Sequence, residues 1–250
     1  MNDKINFAKY SSYYDLINKK KDYSSEVEYV DTLLIKNRIP GKNLLEFGSG
    51  TGKHGCLLSE KGYEILGVEK SLQMLKLAKE SNSFKSILGD VRTIDLNKKF
   101  DGVLSLFHVV SYQIYNHDVI SLFNNAAKHL NSGGLFIFDV WYTPAVNFLK
   151  PSIRIRKIKE RDIEIIRIAE PEIFHNQSRV DVSYTFFYKE TSNEKFEKFS
   201  EKHQMRHFSN NEINLFAEIS GFECISSESF LTAAPLSEKT WGACFVLRKV

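Results

Sequence analysis

A short apolar segment that runs into a glycine-rich loop constrains the fold of this chain more than any other feature. Residues 44–47 are apolar except for Glu46. Glycine then occupies every second position, at Gly48, Gly50 and Gly52, before an amphipathic segment begins. A strand that leads through such a loop into a helix is typical of open α/β sheets, which bind ligands at the carboxyl ends of their strands. Glycine lets the loop turn sharply and lets the backbone approach the ligand closely.

The first part of the chain predicts a parallel sheet with helices on both faces, because short apolar segments alternate with amphipathic ones. The predicted strands are 43–47, 63–69, 86–88, 100–107 and 134–140, and the predicted helices are 53–61, 72–79 and 118–130. Residues 1–40 are polar and rich in aromatic side chains, and we expect them to form a helical lid.

The pattern changes after Pro144, where apolar residues alternate with polar ones along 153–168 and 180–188. This period of two predicts antiparallel strands with one covered face. A capping box from Ser209 to Glu212 then predicts the start of a helix, and two further strands close the chain.

Acidic residues stand at the ends of three consecutive predicted strands. Glu46 precedes the glycine loop, where a carboxylate can accept hydrogen bonds from an ammonium group. Glu69 ends the second strand, about 20 residues after the loop, where Rossmann-like folds place an acid for ribose hydroxyls. Asp90 ends the third and can meet an adenine amino group. S-adenosylmethionine (SAM) is a ligand that carries all three groups: an ammonium group, a ribose and an adenine.

The spacing Gly50-x-Gly52-x-x-Gly55 also satisfies a dinucleotide-binding pattern, so NAD and a purely structural glycine turn stay open as alternatives. Two features favour SAM. The acidic Glu46 precedes the loop, where a neutral strand suits a pyrophosphate better, and the chain carries no second nucleotide-binding half.

Charge and cysteine content exclude several classes of protein. The net charge of +3 arises from 34 basic and 31 acidic residues without a basic stripe, which argues against nucleic acid as a partner. Three widely spaced cysteines predict neither a disulfide framework nor a zinc site and fit a reducing compartment. We find neither a signal peptide nor an apolar segment of ~20 residues that would span a membrane. We therefore expect a cytoplasmic monomer or homodimer without a membrane partner.

The segment Glu46–Gly52 resembles motif I of the class I SAM-dependent methyltransferases, and Glu69, Asp90 and the turn at 130–134 resemble the motifs that follow. The resemblance covers about 40–250. Three further pieces are similar to nucleotide-aminosugar N,N-dimethyltransferases: Tyr14-Asp15 with Lys21-Asp22-Tyr23, Ser105-Leu-Phe107, and Trp141 with Pro144. That subfamily tends to carry a histidine where this chain has Tyr112, whereas His108 lies shortly before that position.

The resemblance implies SAM as cofactor and S-adenosylhomocysteine as product. It implies that the glycines cradle the methionine moiety, that Glu69 holds the ribose, that Asp90 and Val91 meet the adenine, and that Tyr23 helps to cover the cofactor. The predicted cofactor-binding residues are Tyr23, Glu46, Gly48, Gly50, Gly52, Glu69, Lys70, Met74, Asp90, Val91 and Phe107.

Methyl transfer from a sulfonium requires that the acceptor and the methyl group be held in line. An amine must also lose a proton, and a hydroxyl needs a base. His108 follows the fourth strand, so we interpret it as a candidate general base, with packing or contact with the adenine edge as the alternative. Tyr14 is the second candidate catalytic residue. His203 and His207 on a strand lack the HExxH geometry, so we predict no metal.

The predicted substrate-binding residues are Tyr112, Trp141, Arg154, His203 and Arg206. Arg154, Arg156 and Arg206 would suit an anionic substrate such as a nucleotide diphosphate. Tyr10, Tyr13 and Tyr14 would form either an aromatic lid with cation–π contact to the sulfonium or part of a core.

The sequence thus predicts a single domain over residues 1–250. Its fold would be an α/β Rossmann-like methyltransferase sheet with an antiparallel β insertion at 151–208 over the active site. The expected reaction is methyl transfer from SAM to a small-molecule acceptor, namely the amino group of a nucleotide-linked aminosugar. The alternatives are an O-methyltransferase of a sugar or another small metabolite, and a non-catalytic SAM-binding domain.

Overall fold

The structure is a computed structural model that describes residues 13–160, 162–190 and 195–250. The chain divides into two compact units, each with a hydrophobic core. The parallel unit holds residues 22–149 and 207–250. Among the described residues, the antiparallel unit holds 13–21 and those of 150–206. The predicted lid at 1–40 is therefore divided between the two units, and its residues 1–12 lie outside the described ranges.

The parallel unit consists of a sheet flanked by helices. Its strands are β1 (Asn43–Phe47), β2 (Glu64–Glu69), β3 (Phe84–Leu88), β4 (Phe100–Ser105), β5 (Leu130–Tyr142), β10 (Phe222–Ser229) and β11 (Gly242–Lys249). Its helices are α1 (Tyr23–Lys36), α2 (Lys53–Glu60), α3 (Leu72–Leu77), α4 (Asn116–His129), α5 (Thr143–Leu149) and α6 (Asn210–Ile219), with a 3₁₀ helix at Val109–Tyr112.

The strand order in this sheet is β3-β2-β1-β4-β5-β11-β10. Strands β1 to β5 are parallel, whereas β11 is antiparallel to β5 and to β10. All six residues of β4 are buried, as expected for a central strand that is covered on both faces. The carboxyl ends of the parallel strands share one edge of the sheet, so the glycine loop after β1, Glu69 and the residues after β4 lie along that edge.

Phenylalanine side chains hold α4 against the sheet. The ring of Phe123 lies 5.4 Å from the rings of both Phe136 and Phe138 on β5, and it also contacts Phe216 and Phe222. These contacts fix the strand that carries Asp139 and Trp141.

The antiparallel unit is a four-stranded meander of β6 (Arg154–Glu160), β7 (Ile163–Phe174), β8 (Arg179–Glu190) and β9 (Glu197–Phe208). Its core contains Ile17, Ile165, Phe186, Tyr188 and Phe199. The last two residues of β9 belong to the parallel unit, where His207 and Phe208 pair in parallel with the end of β5.

The observed elements confirm the α/β fold class with antiparallel strands, and they differ locally from the expected ones. The predicted strand 100–107 ends at Ser105, because Phe107 and His108 both adopt left-handed backbone angles, with φ of 62° and 63°. Helix α5 was not predicted. The alternation along 153–168 covers β6 and the start of β7, which pair as an antiparallel hairpin.

In the described ranges, no helix is long and apolar enough to cross a membrane. The three cysteines of the sequence all lie in described segments and are free thiols: Cys56, Cys224 and Cys244.

Candidate active site

The three glycines of the loop after β1 have different physical roles. All three adopt left-handed backbone angles, with φ of 73° at Gly48, 57° at Gly50 and 78° at Gly52. A Cβ atom on Gly48 would lie 2.5 Å from Val109 Cγ2, and one on Gly52 would lie 2.5 Å from a ring carbon of Phe84. A Cβ atom on Gly50 would meet no described atom within 4 Å. Gly48 and Gly52 therefore permit close packing, whereas Gly50 borders open space that a ligand can fill.

The carboxylate of Glu69 ties the glycine loop to β2. Its Oε2 accepts a hydrogen bond from the Gly50 N–H at 2.9 Å, and its Oε1 accepts one from the Ser71 N–H at 2.7 Å. The N–H groups of Gly48 and Ser49 donate to the carbonyl of Val68. Because each carboxylate oxygen has a second lone pair, Glu69 retains capacity for hydroxyl donors such as those of a ribose.

Glu46 is a buried carboxyl group beside this loop. It is 2% exposed, and its Oε2 has no hydrogen-bond partner among the described residues. Burial, together with repulsion from Glu69, raises the pKa of Glu46 to about 8, although the backbone N–H of Gly55 opposes this rise. A buried acid with an unpaired oxygen fits a cationic ligand group such as the ammonium of SAM, because an unpaired buried charge is costly.

Asp90 lies two residues beyond the end of β3 and already has cationic partners. Its carboxylate accepts hydrogen bonds from the Arg92 guanidinium and pairs with Lys70 at 3.1 Å. The Arg92 guanidinium is the main reason why the pKa of Asp90 lies well below its usual range. The adenine contact of Asp90 stays a prediction, and an adenine amino group would share this carboxylate with two cations.

The other predicted cofactor residues all lie in the parallel unit. Tyr23 is the first residue of α1, and its ring meets the ring of His54 edge-on at 5.0 Å. Met74 is buried on α3, and the buried Val91 accepts a hydrogen bond at its carbonyl from Asn125. Phe107 is partly exposed after β4. Their roles toward SAM stay predictions.

His108 lies against a buried carboxylate that the sequence reasoning missed. Its Nδ1 lies 2.6 Å from Oδ2 of Asp139, and its backbone N–H donates to the same carboxylate at 3.2 Å. Asp139 is 1% exposed, whereas the His108 side chain is 21% exposed. Asp139 lies near the end of β5. The search for acidic residues at strand ends, which identified Glu46 and Glu69, would also have identified Asp139 if it had included the fifth strand.

The segment that carries His108 contacts both the glycine loop and an aromatic pair. Val109, the next residue, packs against Gly48. The ring of Trp141 lies 6.1 Å from that of His108 and 5.3 Å from that of Trp241. Trp241 was not predicted, because its place depends on the antiparallel pairing of β5 with β11. Tyr112, at the end of the 3₁₀ helix, is exposed.

The three arginines predicted to bind an anionic substrate do not share one face of the antiparallel sheet. The pairing register places Arg154 in a cross-strand row with Ala169, Tyr184 and Glu201. Arg156 and His203 share that sheet face, because they lie two residues from members of the row. Arg206 lies on the opposite face of β9, because it is an odd number of residues from Glu201.

His203 has neighbours of its own on that face. It lies 3.2 Å from Glu201 and meets the ring of Tyr184 edge-on at 5.1 Å.

The tyrosines predicted to form an aromatic lid do not share one environment. Tyr13 packs against Tyr188 and Phe199, which makes it part of the core of the antiparallel unit. Tyr14 is half-buried in a short helical turn at residues 13–17, and its catalytic role stays a prediction. Tyr10 lies outside the described residues.

Comparison with known proteins agrees with this geometry. Residues 44–134 match the family model of a methyltransferase domain. A dTDP-3-amino-3,4,6-trideoxy-α-D-glucopyranose N,N-dimethyltransferase from Streptomyces venezuelae is 26% identical over 176 residues, or 69% of this chain and 73% of the relative.

Solved structures share the fold. The sugar N-methyltransferase KedS8 from Streptoalloteichus sp. has a TM-score of 0.81 at 21% identity, over 94% of this chain and 92% of that one. SAM-bound CalS10, an amino pentose methyltransferase from Micromonospora echinaspora, has a TM-score of 0.78 at 21% identity, over 96% of both chains.

The sheet order, the glycine loop and the matched domain together define a class I methyltransferase fold, and SAM is its cofactor. The chain is a SAM-dependent methyltransferase that resembles sugar N,N-dimethyltransferases.

We predict that Gly50→Ala weakens SAM binding at least tenfold, because the added methyl group enters the open space beside the loop that SAM would fill. The substitution also strains a left-handed backbone, which lowers the stability of the protein by about 1–2 kcal/mol. Gly133→Ala is the matched control: Gly133 also has a positive φ, 74°, and its Cβ atom would meet no described atom within 4 Å. Calorimetric titration should show weaker SAM binding for Gly50→Ala alone, while both variants lose similar stability. Equal SAM affinity in the two variants would contradict a ligand at Gly50.

We also predict that SAM affinity rises with pH up to about 8. The ammonium of SAM favours the ionised form of Glu46, so binding lowers a pKa that is about 8 in the free protein. Below that pH the affinity should fall by up to about tenfold per pH unit. Near the same pH, at about 7.7–8.0, the α-amino group of SAM itself loses its proton, so the affinity should stop rising there. Titrations should show this slope in the native chain and not in Glu46→Gln; a flat native profile would exclude the ammonium contact.

Proposed function

We propose that this enzyme transfers the methyl group of SAM to the amino group of a nucleotide-linked aminosugar, with His108 as proton acceptor. The observation that carries this proposal is the 2.6 Å contact between Nδ1 of His108 and Oδ2 of the buried Asp139, next to the glycine loop. The kind of acceptor is supported by the relatives, three of which are N,N-dimethyltransferases of dTDP-linked aminosugars.

The pairing with Asp139 suits His108 for accepting a proton. A carboxylate 2.6 Å from Nδ1 favours the tautomer with its proton on that nitrogen, which directs the Nε2 lone pair to the acceptor, as in other Asp–His pairs. The His108 side chain is partly exposed, so an acceptor can reach it. An amine that gains a methyl group must lose a proton, and an imidazole is a group that can accept it.

When bound, SAM supplies an electrophilic methyl group on its sulfonium. The residues of this chain that would hold it are Glu46, which would pair with the ammonium, Glu69, which would accept from ribose hydroxyls, and the loop around Gly50, which would lie against the methionine moiety. Because Val109 packs on Gly48, the position of His108 is fixed relative to this loop. Such fixed geometry is the main contribution that a protein makes to an in-line displacement.

Aromatic and polar residues are proposed to bind the acceptor. Trp141 and Trp241 offer aromatic surfaces next to His108, of the kind that pack against a sugar face or a flat base. Tyr112, Arg154, His203, Arg206 and Tyr14 remain proposed contacts on the grounds of residue type and resemblance. We also propose a cytoplasmic location, which the three free thiols fit.

A screen of acceptors tests the proposal. We expect mass spectrometry to show gains of one or two methyl groups on dTDP-linked aminosugars, and none on the matched hydroxyl sugars or on simple amines. Methylation of the hydroxyl sugars alone would make the chain an O-methyltransferase, for which the Asp139–His108 pair would serve as the required base. Methylation of simple amines alone would contradict the nucleotide-sugar assignment.

Kinetics test the role of the Asp139–His108 pair. His108→Ala should lower kcat by about 10²–10⁴-fold with little change in KM, the usual scale for a general base. Asp139→Asn should lower kcat less, because the imidazole stays but loses its charged partner. His117→Ala, which removes an exposed histidine on α4, is the matched control and should leave kcat unchanged. Unchanged SAM affinity in all three would show an intact fold, and an unchanged kcat in His108→Ala would refute the role.

A further inference from the structure

One histidine in the parallel unit is enclosed by two buried carboxyl groups. His54 Nε2 lies 2.7 Å from Oε2 of Glu26, and its Nδ1 lies 3.7 Å from Oε1 of Glu46. The exposed fractions of these side chains are 8% for His54, 11% for Glu26 and 2% for Glu46. Neither His54 nor Glu26 has a part in the proposed proton transfer, so this buried group of ionisable residues needs another explanation.

Local structure fixes the imidazole from two sides. The left-handed Gly52 precedes α2, and His54 is the second residue of that helix. Glu26 lies in the first turn of α1, and Tyr23 at the start of α1 meets the imidazole edge-on. The ring therefore has a fixed partner at Nε2 and a fixed aromatic neighbour, while its Nδ1 faces the carboxyl group before the glycine loop.

We propose that His54, held by Glu26, is a positioning residue for Glu46: it fixes Oε1 of Glu46 and so leaves Oε2 available for the ammonium of SAM. This inference rests on the proposed contact between Glu46 and that ammonium. The two oxygens of Glu46 differ as the proposal requires: Oε1 lies 3.7 Å from Nδ1 of His54, a contact longer than a hydrogen bond, and Oε2 has no hydrogen-bond partner among the described residues. The backbone N–H of Gly55 also binds this carboxyl group, so His54 adds to a group that is already held on one side. A carboxylate with one oxygen held presents the other to its ligand in a single orientation, which raises affinity through preorganisation.

A purely structural role for His54 makes a different prediction. If the imidazole only supports α1 and α2, its loss would disturb the whole loop and weaken every ligand of the site. If it acts through Glu46, its loss weakens only those ligands that carry the ammonium. S-adenosylhomocysteine carries that group, whereas 5′-methylthioadenosine has the same nucleoside and thioether without the amino-acid part.

The variant His54→Gln separates these roles. Glutamine keeps a polar atom near the position of Nε2, facing Glu26, and has none near Nδ1, facing Glu46. We expect about a tenfold weaker binding of S-adenosylhomocysteine, because the 3.7 Å contact that orients Glu46 is lost, and unchanged binding of 5′-methylthioadenosine. Glu26→Gln should show the same selectivity with a smaller loss. Ser59→Ala on α2, whose hydroxyl donates to the carbonyl of Cys56, is the matched control and should change neither affinity.

A double-mutant cycle completes the test. Glu46→Gln alone should weaken S-adenosylhomocysteine selectively, and adding His54→Gln should cause no further loss, because residues that act through one contact are not additive. Equal losses for both ligands, additive losses in the double variant, or no loss in His54→Gln would overturn the proposal. If Glu46→Gln itself does not distinguish the two ligands, the ammonium contact fails; if it does and His54→Gln does not, only the positioning role fails.

Discussion

The hydrogen bond from the Gly50 N–H to the Glu69 carboxylate is the contact on which the cofactor site depends. It joins the loop after β1 to the end of β2, in addition to the hydrogen bonds from the Gly48 and Ser49 N–H groups to the Val68 carbonyl. A charged acceptor makes this bond stronger than a neutral one. Glu46 is buried beside the same loop, and its high pKa follows from that burial and from the nearby Glu69. Glu69 therefore contributes both to the shape of the loop and to the charge of the site.

Much of the fold could be predicted from the sequence, because its information is local. Strands β1 and β4 are short, largely apolar segments, the capping box marks the start of α6, and glycines mark the loop that needs positive φ. Glu46 and Glu69 could be found in the same way, since the end of a parallel strand is where ligands bind. The period of two identified the antiparallel strands for a similar reason: a covered face imposes it.

The parts that could not be predicted depend on pairings between distant segments. His54 lies 28 residues from Glu26, and His108 lies 31 residues from Asp139, so no spacing rule relates them. Trp241 meets Trp141 only because β11 pairs with β5 in a particular register. The alternation of side chains along β9 predicted correctly that Arg206 faces away from His203. It did not show that Arg206 and Arg154 stand on opposite faces of one sheet, because that depends on the register of all four strands.

Two contacts explain the backbone strain at the end of β4, and they relate the proposed Asp139–His108 pair to the glycine loop. Phe107 and His108 are consecutive non-glycine residues with positive φ. Each of these two backbone conformations costs roughly 1–3 kcal/mol relative to an ordinary one. Two contacts offset this cost: Asp139 accepts the His108 N–H, and Val109 packs against Gly48 where any Cβ atom would collide. The second contact requires glycine at position 48, which links the composition of the loop to the placement of His108. The glycine pattern that first indicated a cofactor site is therefore also a condition for placing the proposed proton acceptor beside it.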